Sequence, residues 1–317
     1  MSRALLDRQL HFVTGKGGVG KSVVACALAT HFADRGHTTL LAQVNARDSH
    51  GPMLATPPID GELHVVDRHL TVVNMRPDLA LHEYAKIVLR FETVVNALLE
   101  NRVARAFLRF VPALAELTML GKIWFHAEEQ LSGRPRFARI VVDAPSTGHG
   151  LGFLRVARVA HDATGGIGPM AEKTRAMQSV LTDPSRSALH VVTLAEEMPV
   201  NETKELVAAA RGDALPPLGL CVVNALTERL FDPSIVDDAR RFVDENRAPE
   251  LAAAREVTAR RLSRESIEAR ELARLDEALG DLARVRVPVV DDTRDPVAFL
   301  AAFRAAFFAA LDDGREP

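Results

Sequence analysis

The sequence predicts an α/β protein: a doubly wound, mostly parallel sheet with helices on both faces and a small helical insertion. Three observations carry that expectation. Short, almost unbroken aliphatic runs recur along the chain, a strand–glycine loop–helix–strand unit stands near its start, and helix-patterned stretches separate the later apolar runs. Strands buried on both faces of a parallel sheet read as continuous apolar runs rather than as alternation.

Leu10–Thr14 is the first such run and stops at Gly15. Gly20–Arg35 then places small and apolar residues at helical spacing and ends at Gly36, suited to a C-terminal cap. "TTLLAQV" follows as a strand, so this stretch is a βαβ unit with parallel strands and a right-handed crossover. From about Ala80 to Gln130 the pattern is mostly helical, punctuated by Pro112 and Gly121. "RIVVDAP", "ALHVVTL" and "LGLCVVNAL" are three further strands. Pro233–Leu282 is helical and densely charged, "VRVPVVDD" is a last strand, and Pro296–Leu311 is an Ala/Phe-rich amphipathic helix. Without an internal repeat or a low-complexity linker, residues 1–317 are expected to form one domain with a helical subdomain inserted at about 75–135.

Composition narrows the function. The 317 residues are 47% hydrophobic and 26% charged, as in an ordinary globular protein. Thirty-nine basic against 42 acidic residues give a net charge of −3, which argues against a nucleic-acid partner. The N-terminus lacks the basic and apolar regions of a signal peptide, and no apolar run reaches 18 residues. No integral membrane segment is expected, and a cytoplasmic location follows by default. Cys26 and Cys221 lie far apart in apolar runs and read as buried, reduced thiols.

The chemistry is carried by Gly15-Lys16-Gly17-Gly18-Val19-Gly20-Lys21-Ser22, which satisfies GxxxxGK[ST] between a predicted strand and a predicted helix. Glycines let consecutive backbone N–H groups converge on phosphate oxygens, and the helix N-terminus adds partial positive charge. Gly15 through Val23 are therefore expected to hold ATP or ADP, with Lys21 bridging the β- and γ-phosphates and Ser22 ligating Mg²⁺. Lys16 stands on the outer lip. It is either a solvated surface lysine or a group that reaches a phosphate bound by a second subunit, as an arginine finger does in trans.

"GKGGVGKS" resembles the deviant Walker A motif of the class that includes septum-site and plasmid-partition ATPases, nitrogenase iron protein and the ArsA/guided-entry targeting ATPases. Later segments resemble the ArsA branch in particular: "GKIWFHAEEQL", "RIVVDAPSTGHGLGFLRV", "LAEEMPVNETKEL" and "CVVNAL". The resemblance implies an ATPase, a hydrolase working as a nucleotide-sandwich dimer in which Lys16 is the signature residue. It makes Asp143 the second-switch carboxylate that holds a Mg²⁺-bound water, the alternative being a helix N-cap before Pro145. It makes Ser146–Gly150 a flexible sensor of the γ-phosphate, although His149 also reads as a structural histidine. It makes Asn224 the reader of the adenine amino group.

One departure from the family pattern stands out. The water-orienting aspartate of the first switch falls, by ungapped counting from the phosphate loop, on Asn45. An amide hydrogen-bonds water but cannot accept its proton, so hydrolysis is expected to be weakened. Asp48, in the polar stretch "NARDSHG", is a carboxylate that can swing in. The alternative is a proton-neutral account in which Asn45 only orients the water, because positioning and electrostatics outweigh base strength in phosphoryl transfer. The cysteine clusters that the family uses for metalloid and for interfacial zinc are missing, so no zinc is expected. As partners, the reading gives a homodimer or a heterodimer with a paralogous ATPase, and a protein client or partner at the helical insertion. The apolar residues Leu89, Phe91, Val95, Leu98, Leu99, Phe107, Leu108, Phe110 and Leu114 serve there as core, as client groove or as docking surface. A regulatory pseudo-ATPase paired with an active paralogue is the alternative function. Asp291-Asp292 is a candidate contributor to the nucleotide pocket.

Overall fold

The computed structural model describes residues 2–77, 112–212, 215–246, 248–290 and 294–313. Its centre is an eight-stranded sheet. In chain order the strands are β1 (Leu10–Gly15), β2 (Thr39–Val44), β3 (His64–Val65), β4 (Leu70–Met75), β7 (Arg139–Asp143), β8 (Ser187–Leu194), β9 (Leu218–Leu226) and β10 (Arg284–Pro288). A separate small hairpin is formed by β5 (Gln130–Leu131) and β6 (Arg134–Pro135). The sheet runs β10-β9-β8-β1-β7-β2-β4-β3, parallel throughout except for the β3–β4 pair.

Side-chain alternation explains the two layers. Leu40, Ala42 and Val44 of β2, with Ile140 and Val142 of β7, bury into one face. Leu41 and Val141 bury into the other. Helices α3 (Pro112–Glu128), α4 (Thr147–Ala163), α5 (Pro169–Thr182), α6 (Glu197–Gly212) and α8 (Ala252–Leu279) supply residues to the first layer. The other layer takes α1 (Lys21–Asp34) and α9 (Pro296–Asp313), whose Phe303 and Phe307 are almost wholly buried. Two short elements complete the described α-helices, α2 (His50–Leu54) and α7 (Val236–Glu245), and Ser2–Asp7 and Pro249–Leu251 are short 3-10 helices.

Several expectations change on contact with this architecture. The segment 112–128, expected inside the helical insertion, is one helix whose Leu117, Leu120 and Ile123 lie under the sheet. Gly121 is buried inside that helix and does not interrupt it. "LTVVNM" forms β4, a strand that the sequence reading passed over. Of the apolar residues proposed for a groove, Leu114 is half-buried on α3; the other eight, Leu89 to Phe110, lie outside the described residues. Among the described residues, no helix is long and apolar enough to cross a membrane.

Candidate nucleotide site

The C-terminal ends of β1, β2, β7, β8 and β9 come together around the glycine loop. At Gly15 the backbone takes φ 148°, and a Cβ there would collide with the carbonyl oxygen of Val192 on β8. Gly20, at φ 97°, is the N-cap of α1 and would drive a Cβ into the Asn224 amide. No side chain caps this helix N-terminus among the described residues, so its first-turn amides stay available to an anion. A Cβ added at Gly17 or Gly18 would meet nothing within 4 Å. The loop is thus tight at its two ends and open at its crest.

Lys21 leans over that opening, its Nζ donating to the Lys16 carbonyl at 3.0 Å. Burial lowers its pKa from the ordinary value, and the Asp143 charge opposes the shift. Val19 and Val23 are buried on the core side, so the loop presents backbone rather than these side chains. Asn224 anchors the loop from β9: its Nδ2 donates to the Val19 carbonyl at 2.9 Å, and its Oδ1 accepts from the Ala225 amide at 2.8 Å.

Asp143 is not the helix cap that the sequence left open; Ser146 occupies the N-cap position of α4. Only 5% exposed, Asp143 accepts from Ser22 Oγ at 2.6 Å and from His50 Nε2 at 3.1 Å, both on Oδ2. A hard cation favours oxygen donors, and a hydroxyl beside a buried carboxylate at the foot of a phosphate loop fits Mg²⁺ held jointly with a nucleotide. Among the described residues, no group of three or more His, Cys, Asp or Glu side chains forms a metal site by itself. The Ser146–Gly150 stretch, expected as a flexible loop, opens helix α4 from Thr147.

Asn45 follows β2 directly, two residues beyond Gln43, which pairs with Asp143 in the sheet. It adopts a left-handed backbone, φ 44°, a conformation asparagine and aspartate tolerate better than other non-glycine residues. Its N–H donates to the Met75 carbonyl at 2.8 Å. Asp48 is held by the backbone. Its Oδ1 accepts the amides of His50 and Gly51, and its Oδ2 accepts that of Ile59, each at 3.0 Å. Gln43 Nε2 donates to the Arg47 carbonyl at 2.9 Å and to Ser49 Oγ at 3.1 Å. The "NARDSHG" stretch is therefore tied down, and moving Asp48 toward a phosphate would break three bonds.

Lys16 Nζ is held 2.8 Å from Glu202 Oε1 on α6. Beside the loop opens a cavity of about 370 Å³ lined by Lys16, Gly17, Gly18, Val19, Leu194, Glu196 and the start of α6. Two residues that sequence reasoning missed thus belong to the site: His50 and Glu202. Both are quoted in segments named above, yet neither spacing nor residue type marks them as contacts of Asp143 and Lys16. Asp291 and Asp292 lie outside the described residues.

A parallel α/β sheet with a glycine loop between β1 and α1, and a serine–aspartate pair at its foot, defines a P-loop nucleotide-binding protein. A family model described as anion-transporting ATPase, ArsA type, matches residues 8–167. The chain belongs to that family. It is 31% identical over 222 residues to the ATPase BagA of Mycobacterium tuberculosis, covering 68% of this chain and 64% of the relative. It is 26% identical over 264 residues to a putative arsenical pump-driving ATPase of Halobacterium salinarum, 78% of this chain and 38% of that protein. The ATPase GET3B of Arabidopsis thaliana is 24% identical over 284 residues, 73% of this chain and 66% of its own length. The matched segment thus spans less than two thirds of each relative.

Proposed function

We propose that this chain is a nucleotide-switched ATPase of the ArsA/guided-entry type, active as a homodimer or with a paralogous ATPase, on a protein client or partner. The observation that carries the reading is the tight-ended glycine loop with Ser22 and Asp143 at its foot. In it, backbone amides of residues 15–23 bind the phosphates, Lys21 neutralises their charge, and Asn224 faces the base. Ser22 and Asp143 hold the nucleotide's Mg²⁺. That ion supplies electrostatic neutralisation of the phosphate oxygens when bound. Lys16 leaves Glu202 to reach the phosphates of a facing subunit. Isothermal titration with ATP and Mg²⁺ tests the binding; an absence of heat, with the loop intact, overturns it.

Hydrolysis is read as slow because Asn45 positions water without accepting its proton. Asn45→Asp is expected to raise turnover by ~10²-fold, the usual worth of a proton-accepting group, as measured by phosphate release. A wild-type rate equal to the variant's removes the impairment. The Asp48 tie favours the second reading, a pseudo-ATPase subunit stabilised by nucleotide and paired with an active paralogue. A slow homodimer whose turnover rises on mixing with such a paralogue supports that reading.

A further inference from the structure

We infer that His50 is a positioning residue that holds the Asp143 carboxylate in its metal-ready orientation and ties it to the loop carrying Asn45. The inference rests on the nucleotide-binding reading and deepens it. His50 is 1% exposed and stands 93 residues from Asp143 in sequence, yet its Nε2 lies 3.1 Å from Asp143 Oδ2. A carboxylate only accepts, so Nε2 carries the hydrogen. Its other ring nitrogen, Nδ1, is buried with no partner among the described residues, so the Asp143 bond fixes the ring.

The geometry divides the labour of one carboxylate. Ser22 Oγ and His50 Nε2 both address Oδ2, so two donors from different elements set the rotamer and leave Oδ1 outside that pair. With Ser22 Oγ engaged by a cation, His50 would be the donor remaining on Oδ2. His50 is in turn fixed by Asp48, whose Oδ1 accepts the backbone amides of His50 and Gly51. His50 thus links the loop leaving β2 to the carboxylate ending β7. Partners of this kind, which orient a ligating group without touching the metal, typically govern 10–100-fold in metal affinity.

The test is the Mg²⁺ concentration that half-saturates tight ATP binding, with ATP affinity in EDTA as reference. His50→Phe is expected to raise the Mg²⁺ requirement by about 10–100-fold while ATP affinity in EDTA stays within about 2-fold. His50→Gln, which keeps an N–H donor, should restore the requirement to within about 3-fold of wild type. Should His50→Phe not fold, long-range ¹H–¹⁵N spectra of the wild type read the ring directly. An Nε2–H tautomer supports the inference and an Nδ1–H tautomer overturns it. An unchanged Mg²⁺ requirement in His50→Phe overturns it while leaving nucleotide binding standing. Wild-type protein that binds no ATP in either buffer overturns the parent reading, and this one with it.

Discussion

Two buried histidine sites, one inside the sheet and one on the helix at its strand ends, are built on opposite plans. In the strand interior, the Leu220 amide donates to His190 Nδ1 at 3.1 Å, His190 Nε2 meets His11 Nδ1 at 3.1 Å, and His11 Nε2 meets the Arg8 carbonyl at 2.8 Å. Two neutral rings, each protonated on Nε2, satisfy every one of these contacts. At the strand ends, His50 leans on one carboxylate and leaves a ring nitrogen unpartnered among the described residues. Buried, unpartnered atoms of Gln43 and Asn74 flank the same loop, and Asn45 and Gly15 carry unusual backbone angles there. The His11–His190 pair closes its polar chemistry; at the strand-end rim His50 Nδ1, Gln43 Oε1 and Asn74 Oδ1 leave theirs open. Unspent hydrogen-bonding capacity and backbone strain mark where a ligand is to be met.

The sharpest way to break this comparison is to damage one site and watch the other. Lys21→Ala removes a half-buried cation from the open site and is expected to cost nucleotide binding about 2–5 kcal/mol, read by calorimetry. Its urea midpoint should barely move, because Lys21 holds only a loop carbonyl. His190→Leu is the converse. It strands the Leu220 amide and a nitrogen of His11 in the core, so about 2–4 kcal/mol of stability should be lost while the affinity of folded protein for ATP stays unchanged. Adding His11→Phe should recover part of that loss, since replacing both partners leaves fewer orphaned groups.

Acid separates the sites next. Burial, reinforced by the Arg8 charge, lowers the His190 pKa from 6.5 to about 3. Burial also holds His11 well below its ordinary value, followed by the charges of His190, Arg139 and Arg8, with the Arg8 carbonyl opposing. The sign follows directly: below 6.5 the unfolded chain takes up a proton that folded His190 refuses, until about 3. Stability is therefore intact above 6.5 and drains as the pH falls through that window. Urea midpoints at several pH values should show a steeper acid loss in wild type than in the His11→Phe/His190→Leu protein. Parallel slopes would place the acid sensitivity elsewhere.

The same division explains what was legible in the sequence. Strands β1, β2, β7, β8 and β9 announce themselves because both faces are buried and most of their residues are apolar or small. The loop is legible because phosphate binding needs glycine at fixed spacing between strand and helix. Asn45, directly after β2, could be reached by ungapped counting from the loop. Helix α3 was harder: its apolar face looks the same whether it packs beneath a sheet or lines a groove. The short strand β4, with polar residues at Thr71 and Asn74, resembles a turn-flanked loop. His50 and Glu202 lay beyond reach because their partners are set by how distant segments pack. Aligning Gln43 with Asp143 brings the loop from 45 to 50 over Asp143, and no local pattern encodes that.

Glu202 offers the smallest effect and the finest discrimination. Its pair with Lys16 is about a quarter to a third exposed, the two side chains showing 26% and 31% of their surface. A pair so wetted is worth about 0–1 kcal/mol, since water competes and two long side chains must be ordered. Glu202→Gln should therefore shift the urea midpoint by less than about 0.5 kcal/mol. The same weakness gives the contact a use if Lys16 serves a facing subunit: triphosphate charge outcompetes a single screened carboxylate, so the lysine is released when nucleotide arrives. ATP-dependent dimerisation of Glu202→Gln, measured by analytical ultracentrifugation, should then tighten by about 2-fold, matching the fraction of a kcal/mol released. Lys16→Ala should abolish that ATP dependence while each chain still binds nucleotide. Dimerisation of Lys16→Ala that responds to ATP as wild type does would make Lys16 an ordinary surface lysine, its partner Glu202 and nothing further.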